Sequence, residues 1–232
     1  MLFFDIDDTL LDHNSAERNA ALDFYHVHKH DLHMKEQEFI SLWVNLSHEF
    51  FQKFVAKEIS FEEQRQLRMK KLFSSVRSIS NEEATLLFDE YVEFYKLNWR
   101  AFADVIPCLR NAVGNDVPLG VISNGDTTQQ IEKLTSMGIQ NYFSIVVTST
   151  DIGYSKPNPH IFQEACKRVG KNVSNCMYIG DRLDVDAIGS TEAGMIGVWL
   201  NRYLGQSSRP STTPIIQNLG ELQPLMNSLY KK

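Results

Sequence analysis

A chain of 232 residues has room for one large domain, or for a core domain carrying an inserted subdomain. Hydrophobic residues make up 43% and charged residues 22%, an ordinary globular balance, and the formal net charge of -6 argues against a broad basic surface for a nucleic-acid polymer. No apolar run approaches the roughly 20 residues that span a bilayer, no N-terminal leader pattern is present, and Cys108, Cys166 and Cys176 are too widely spaced for a disulfide framework or zinc site, which suits reduced thiols in the cytoplasm.

The chain opens with FFDIDDTL, Phe3 to Leu10. Leu2 to Phe4 reads as a short buried strand that runs straight into Asp5, Asp7 and Asp8. Carboxylates gathered this closely repel unless a cation or a proton separates them. Asp8 and Thr9 read as turn or cap residues.

Residues 13–100 then read as about four packed helices. Neither glycine nor proline occurs between residues 1 and 106. Asn14 with Glu17, Ser60 with Glu63 and Ser80 with Glu83 each give a capping residue and a Glu three positions later. Two apolar stripes at helical spacing follow: Phe39, Trp43, Leu46, Phe50 and Phe54, then Ala84, Leu87, Tyr91, Tyr95 and Trp99. These aromatics, Trp43 included, read as packing, and His13 and Arg65 as ordinary surface or core residues.

From about residue 101 strands and helices alternate. Pro107 opens a short helix. Val117 to Ile122, Ser144 to Thr148, Cys176 to Ile179 and Ile196 to Leu200 read as buried strands. Between them stand a helix from Asp126 or Thr127 to Gly138, one from Asn158 and Pro159 to Gly170, and one from about Asp186 to Gly194. Residues 205–214 read as a surface loop. The alternation predicts an α/β fold, a Rossmann-like parallel sheet covered by helices. The first strand belongs with it, so residues 1–12 and 101–232 form the predicted core and 13–100 an inserted helical bundle.

In an open α/β sheet, ligands bind at the carboxyl ends of the strands. Four polar clusters fall there: Asp5 and Asp7; Ser123, Asn124 and Gly125; Lys156; and Gly180, Asp181, Asp184 and Asp186. Carboxylates without His or Cys favour Mg²⁺, which commonly bridges to a substrate phosphate. A carboxylate can serve as nucleophile in phosphoryl transfer, and a second acid can protonate the leaving oxygen and then activate water. A lysine, a serine hydroxyl and backbone N–H groups can hold the phosphate oxygens.

DIDDTL, ISNG, the lysine of SKPNPHIF and GDRLDVD, in this order, resemble the four motifs of the haloacid dehalogenase-like hydrolase superfamily. The resemblance covers the whole chain, with residues 13–100 standing where that family carries its helical cap, the element that sets substrate choice. It implies Asp5 as nucleophile, Asp7 as general acid/base, and Ser123, Asn124 and Lys156 on the phosphoryl group. It places Mg²⁺ on Asp5, the main-chain carbonyl of Asp7, and Asp181, with Asp186 supporting the metal or Lys156 from behind. Dehalogenases of the superfamily lack an acid at the Asp7 position, so the resemblance points to a phosphatase acting on a small phosphorylated metabolite. ISNG and GDRLDVDAIGSTEAGM are similar to pyrimidine 5'-nucleotidase-like members, within a helical-cap group that includes phosphoglycolate phosphatase-like ones. A phosphomutase of the same superfamily, or a non-catalytic phosphometabolite-binding protein, is the alternative.

Overall fold

Residues 2–4 form the first strand, β1 (Leu2–Phe4), in a computed structural model that describes residues 1–203 and 213–229. Two units divide the chain, Asn14–Trp99 on one side and Met1–His13 with Arg100–Lys232 on the other.

The first unit holds four helices, α1 (His13–Leu32), α2 (Glu36–Val55), α3 (Phe61–Phe73) and α4 (Asn81–Leu97). Ser60 caps α3 reciprocally: its hydroxyl accepts from Glu63 N–H at 3.1 Å, and Glu63 accepts from Ser60 N–H at 2.7 Å. Ser80 accepts from Glu83 N–H at 3.2 Å. Asn14 differs from its expected role as a cap, because α1 already begins at His13. The chain is pinned up to Asp12, whose N–H donates to the Arg100 carbonyl at 3.0 Å, and helix follows at once. Trp43 lies at the centre of this unit, with ring centroids of Phe39, Phe24 and Tyr91 at 6.0, 6.3 and 4.4 Å. The α4 stripe uses Ala84, Phe88, Tyr91 and Tyr95, with Phe88 taking the buried place expected of Leu87. Arg65 stacks on Phe61 at 4.2 Å, and the buried Arg68 lies 4.7 Å over Trp43 with Glu17 3.5 Å away.

In the second unit, α5 (Val105–Gly114) starts two residues before Pro107, which sits in the first turn where a missing N–H costs nothing. Then come β2 (Leu119–Ser123), α6 (Thr127–Ser136), β3 (Ile145–Thr148), α7 (Ser149–Ile152), α8 (Pro159–Arg168) and β4 (Met177–Gly180). A wide π-helical turn over Leu183–Ile188 leads into α9 (Gly189–Glu192), so this helix starts earlier than expected. The Asp186 side chain folds back to accept from Arg182 N–H at 3.0 Å, which organises the turn. Next are β5 (Ile196–Leu200), β6 (Ile215–Ile216) and α10 (Leu222–Leu229). The expected surface loop over 205–214 falls largely outside the described residues.

The six strands pair in parallel in the order β3-β2-β1-β4-β5-β6. Chain order departs in both directions from β1, the arrangement that opens a crevice at the carboxyl edge. Phe4 is in register with Val121 and Ile179, so Asp5, Ser123 and Asp181 leave the sheet along that same edge. Below it Phe3, Ile122, Val147, Phe162 and Tyr178 pack into one buried cluster. Among the described residues, no helix is long and apolar enough to cross a membrane.

Candidate active site

Asp5 follows directly on β1, and its N–H donates to the Ile179 carbonyl at 2.9 Å, extending the β1–β4 pairing to the first carboxylate. Lys156 meets it from the segment between α7 and α8. The Lys156 ammonium donates to Asp5 Oδ1 at 2.6 Å, to Asp186 Oδ1 at 2.7 Å and to the Tyr178 hydroxyl at 2.7 Å. All three ammonium hydrogens thereby have oxygen partners, and all four residues are buried. Burial would lower the lysine's pKa, but Asp186 and Asp5 outweigh it and push it up, so the charge is retained.

Asp181, Asp5 and Asp186 bring one carboxylate oxygen each within 4.8 Å of one another. Burial pushes Asp5 up to about 7, with Asp186 and Asp7 adding to it against the pull of Lys156. Burial likewise pushes Asp181 up to about 8, helped by Asp5 and Asp186. Three carboxyl groups gather around one ammonium, and the donors they offer are all oxygen. That set suits a hard divalent cation such as Mg²⁺. The Trp199 indole N–H donates to the Asp181 carbonyl at 2.8 Å and holds the loop. A Cβ on Gly180 would come within 2.4 Å of the Asp186 carboxylate, so only glycine lets that side chain lie against the strand end.

The serine and the second acid are joined through α6. Asp126 starts this helix by accepting from Gln129 N–H at 3.0 Å. Gln130 Nε2 donates to Ser123 Oγ at 2.7 Å and to Asp7 Oδ2 at 3.2 Å, and Lys133 Nζ donates to Asp7 Oδ1 at 2.7 Å. His13 Nδ1 lies 3.9 Å from the same Asp7 oxygen. Burial works to raise Asp7, but Lys133, His13 and Gln130 prevail and bring it down to about 2.

Asn124 spans to the lysine segment. Its Oδ1 accepts from Lys156 N–H at 2.7 Å, and its Nδ2 donates to the Lys156 carbonyl at 3.0 Å. Its amide is therefore committed to holding Lys156. Asp184 is exposed and pairs with Arg182 at 3.4 Å, apart from the acidic cluster. Asp8 takes a left-handed conformation (φ 57°) in the turn after Asp7, while the buried Thr9 hydroxyl has no hydrogen-bond partner among the described residues.

Gln130, Lys133 and Tyr178 were not expected in the site. Each left a trace in the sequence. Gln130 and Lys133 share the inward face of α6 with Leu134, where a core-facing helix carries apolar residues. Tyr178 lies in a fully buried strand, where a hydroxyl needs a partner, and it donates to the Ile122 carbonyl at 2.7 Å.

The sequence profile of the family described as haloacid dehalogenase-like hydrolase matches residues 1–194. A glyceraldehyde 3-phosphate phosphatase from Methanothermobacter thermautotrophicus is 31% identical over 211 residues, 90% of this chain and 88% of that one. A crystal structure of the hydrolase YfnB from Bacillus subtilis, bound to magnesium, superposes with a TM-score of 0.80 at 22% identity over 97% of each chain. A 2-haloacid dehalogenase from Pseudomonas syringae pv. Tomato superposes with a TM-score of 0.71 at 27% identity over 98% of each chain.

Proposed function

Because this chain belongs to the haloacid dehalogenase-like hydrolases, we propose that it hydrolyses a small phosphomonoester through an aspartyl-phosphate on Asp5. The observation that carries this reading is the placement of two differently tuned acids. Asp5 is buried against Lys156, and Asp7 is held two residues away beside Ser123. The phosphatase-named relative is in keeping with it. A second acid is what phosphoryl transfer needs and what carbon–halogen hydrolysis through a carboxylate does not.

In the first step an Asp5 carboxylate oxygen bonds to phosphorus, and the bond from phosphorus to the leaving oxygen breaks. Asp7, ionised in the ligand-free protein, takes the proton of the bound phosphomonoester monoanion and passes it to the leaving oxygen. The Lys156 ammonium, the Ser123 hydroxyl and the main-chain N–H of Asn124 balance charge on the equatorial oxygens. In the second step Asp7 takes a proton from water, the water oxygen bonds to phosphorus, and the acyl phosphate bond breaks, restoring Asp5. Asp5, Asp181 and the Asp7 carbonyl would hold Mg²⁺, with Asp186 behind them, and the cation would offset the charge of carboxylates and phosphate. The substrate is a small phosphorylated metabolite, with neither a nucleic-acid polymer nor a membrane as partner, and the cytoplasm is the proposed setting.

The test is phosphate release from nucleoside monophosphates, sugar phosphates, phosphoglycolate and an aryl phosphate, with and without Mg²⁺. Mg²⁺-dependent turnover that disappears in Asp5→Asn is expected. A folded, Mg²⁺-binding protein that releases phosphate from none of them contradicts the reading.

A further inference from the structure

The turn that carries Asp7 closes on itself. The Ile6 carbonyl accepts from the N–H groups of Leu10 and Leu11 at 2.8 Å each, and Asp8 N–H donates to the Leu11 carbonyl at 2.8 Å. A planar trans peptide points its carbonyl away from its N–H, so this last bond also sets the direction of the Asp7 carbonyl. Asp8 sits at φ 57°, a conformation that persists outside glycine only where the surroundings hold it. The Thr9 carbonyl is held from outside the turn: Arg202 Nη2 donates to it at 2.8 Å, from 193 residues along the chain. The guanidinium is itself fixed. Its Nη1 and Nη2 meet the Asp104 carboxylate as a fork at 2.8 and 3.1 Å, Asp104 also accepts from Leu219 N–H at 2.8 Å, and the guanidinium carbon stands 3.9 Å over the centre of the Phe102 ring. Arginine suits this place, because its planar fork grips a carboxylate and keeps a donor for a third oxygen. The end of β5 thereby serves two loops of the site, since Trp199 on that strand donates its indole N–H to the Asp181 carbonyl at 2.8 Å.

We propose that Arg202 is a positioning residue for the Asp7 turn, fixing the main-chain oxygen of Asp7 in the place from which it would hold Mg²⁺. The proposal rests on the metal set read above, Asp5, Asp181 and the Asp7 carbonyl, and deepens it. In it Arg202 touches neither the reacting atoms nor the ion. Mg²⁺ demands near-ideal octahedral geometry, so it tolerates little displacement of a ligand oxygen. Replacing a residue that orients a metal ligand from behind typically costs roughly 10- to 100-fold in metal affinity. A residue serving stability alone would lower the melting temperature and leave the Mg²⁺ affinity of the folded protein unchanged.

Metal affinity measured apart from activity separates the two roles. The experiment titrates Mg²⁺ alone into wild type, R202M, R202K, D104N, D181N and V147A by calorimetry, well below each melting point. It then follows turnover of an aryl phosphate against Mg²⁺ concentration. Val147 is buried in β3, on the other side of β1 from β5 in the strand order, so V147A is the stability control. R202M is expected to bind Mg²⁺ about tenfold more weakly. It is also expected to lose turnover at low Mg²⁺ and to regain it when Mg²⁺ is in excess. R202K, which keeps the cation and loses the fork, is expected between wild type and R202M. V147A is expected to melt lower with wild-type Mg²⁺ affinity. Should R202M fail to fold, D104N, which loosens the fork and keeps the arginine, is expected to weaken Mg²⁺ binding in the same direction. Wild-type Mg²⁺ affinity in R202M, or an equal loss in V147A, overturns the proposal, while binding that D181N abolishes leaves the metal reading standing. Wild type that binds no Mg²⁺, or D181N that binds it as wild type does, overturns both.

Discussion

At the scale of single residues, the site is a problem of charge solved by pairing. Lys156 is surrounded by three oxygens, yet Asp5 and Asp181 are still pushed up to about 7 and 8, first by burial and then by the neighbouring carboxylates. An acid whose folded-state pKa is raised contributes stability below its unfolded value and loses that contribution as pH rises through the folded value. The window is therefore from about pH 4 up to about 8 for these two groups. Asp7 has the opposite sign: its contribution is present above the unfolded value and fades only as pH falls through about 2. Metal-free protein is thus expected to melt lower as pH rises across that upper window, and less steeply in Asp181→Asn. Mg²⁺ is expected to raise the melting temperature of wild type by several degrees, with a larger rise at the alkaline end, because binding displaces protons. Thermal melts at several pH values with and without Mg²⁺ check this. An equal Mg²⁺ effect in Asp181→Asn would remove the acidic cluster as the metal site.

At the scale of elements, the strand-end motifs were legible because each combines a short apolar run with a polar residue at its carboxyl end. DIDD, SNG and GDRLDVD announce themselves in this way. What stayed hidden arises from tertiary contact. Gln130 and Lys133 look like ordinary polar residues of a surface helix until α6 is laid against the site. The turn after Gly180 differs from the expected helix start because Asp186 satisfies the Arg182 N–H with its side chain, which widens the first turn. Phe88 took the place of Leu87 because adjacent positions on a helix are resolved only by the neighbour they meet. Gly180 ties this element to the chemistry. Gly180→Ala places a methyl group within 2.4 Å of the Asp186 carboxylate. Overpacking of this kind costs about 1–3 kcal/mol, roughly 2–12 °C in melting temperature for a chain of this size. Activity is expected to fall further than stability, since Asp186 holds Lys156, and comparing kcat with the melting curve of Gly180→Ala checks this. Wild-type kcat in the variant would mean that Asp186 can move without consequence.

At the scale of the whole molecule, a sheet ordered β3-β2-β1-β4-β5-β6 collects residues far apart in sequence, from Asp5 to Asp186, at one edge of β1. Strand order cannot be read from the spacing of strands along a chain, which is why the convergence of the four clusters was an inference until the topology supplied it. β6 is only two residues long and α10 only eight, too short and too mixed in composition for periodicity to reveal. The central claim is that Asp5 carries the phosphoryl group. Acid quench of Asp7→Asn, which slows the water-attack step, during turnover of an aryl phosphate with Mg²⁺, followed by peptide mass spectrometry, tests it most directly. The account predicts one phosphoryl group on the peptide containing Asp5, absent when Asp5 is also changed to Asn. Phosphate release with no adduct at any time, or an adduct on another residue, would contradict it.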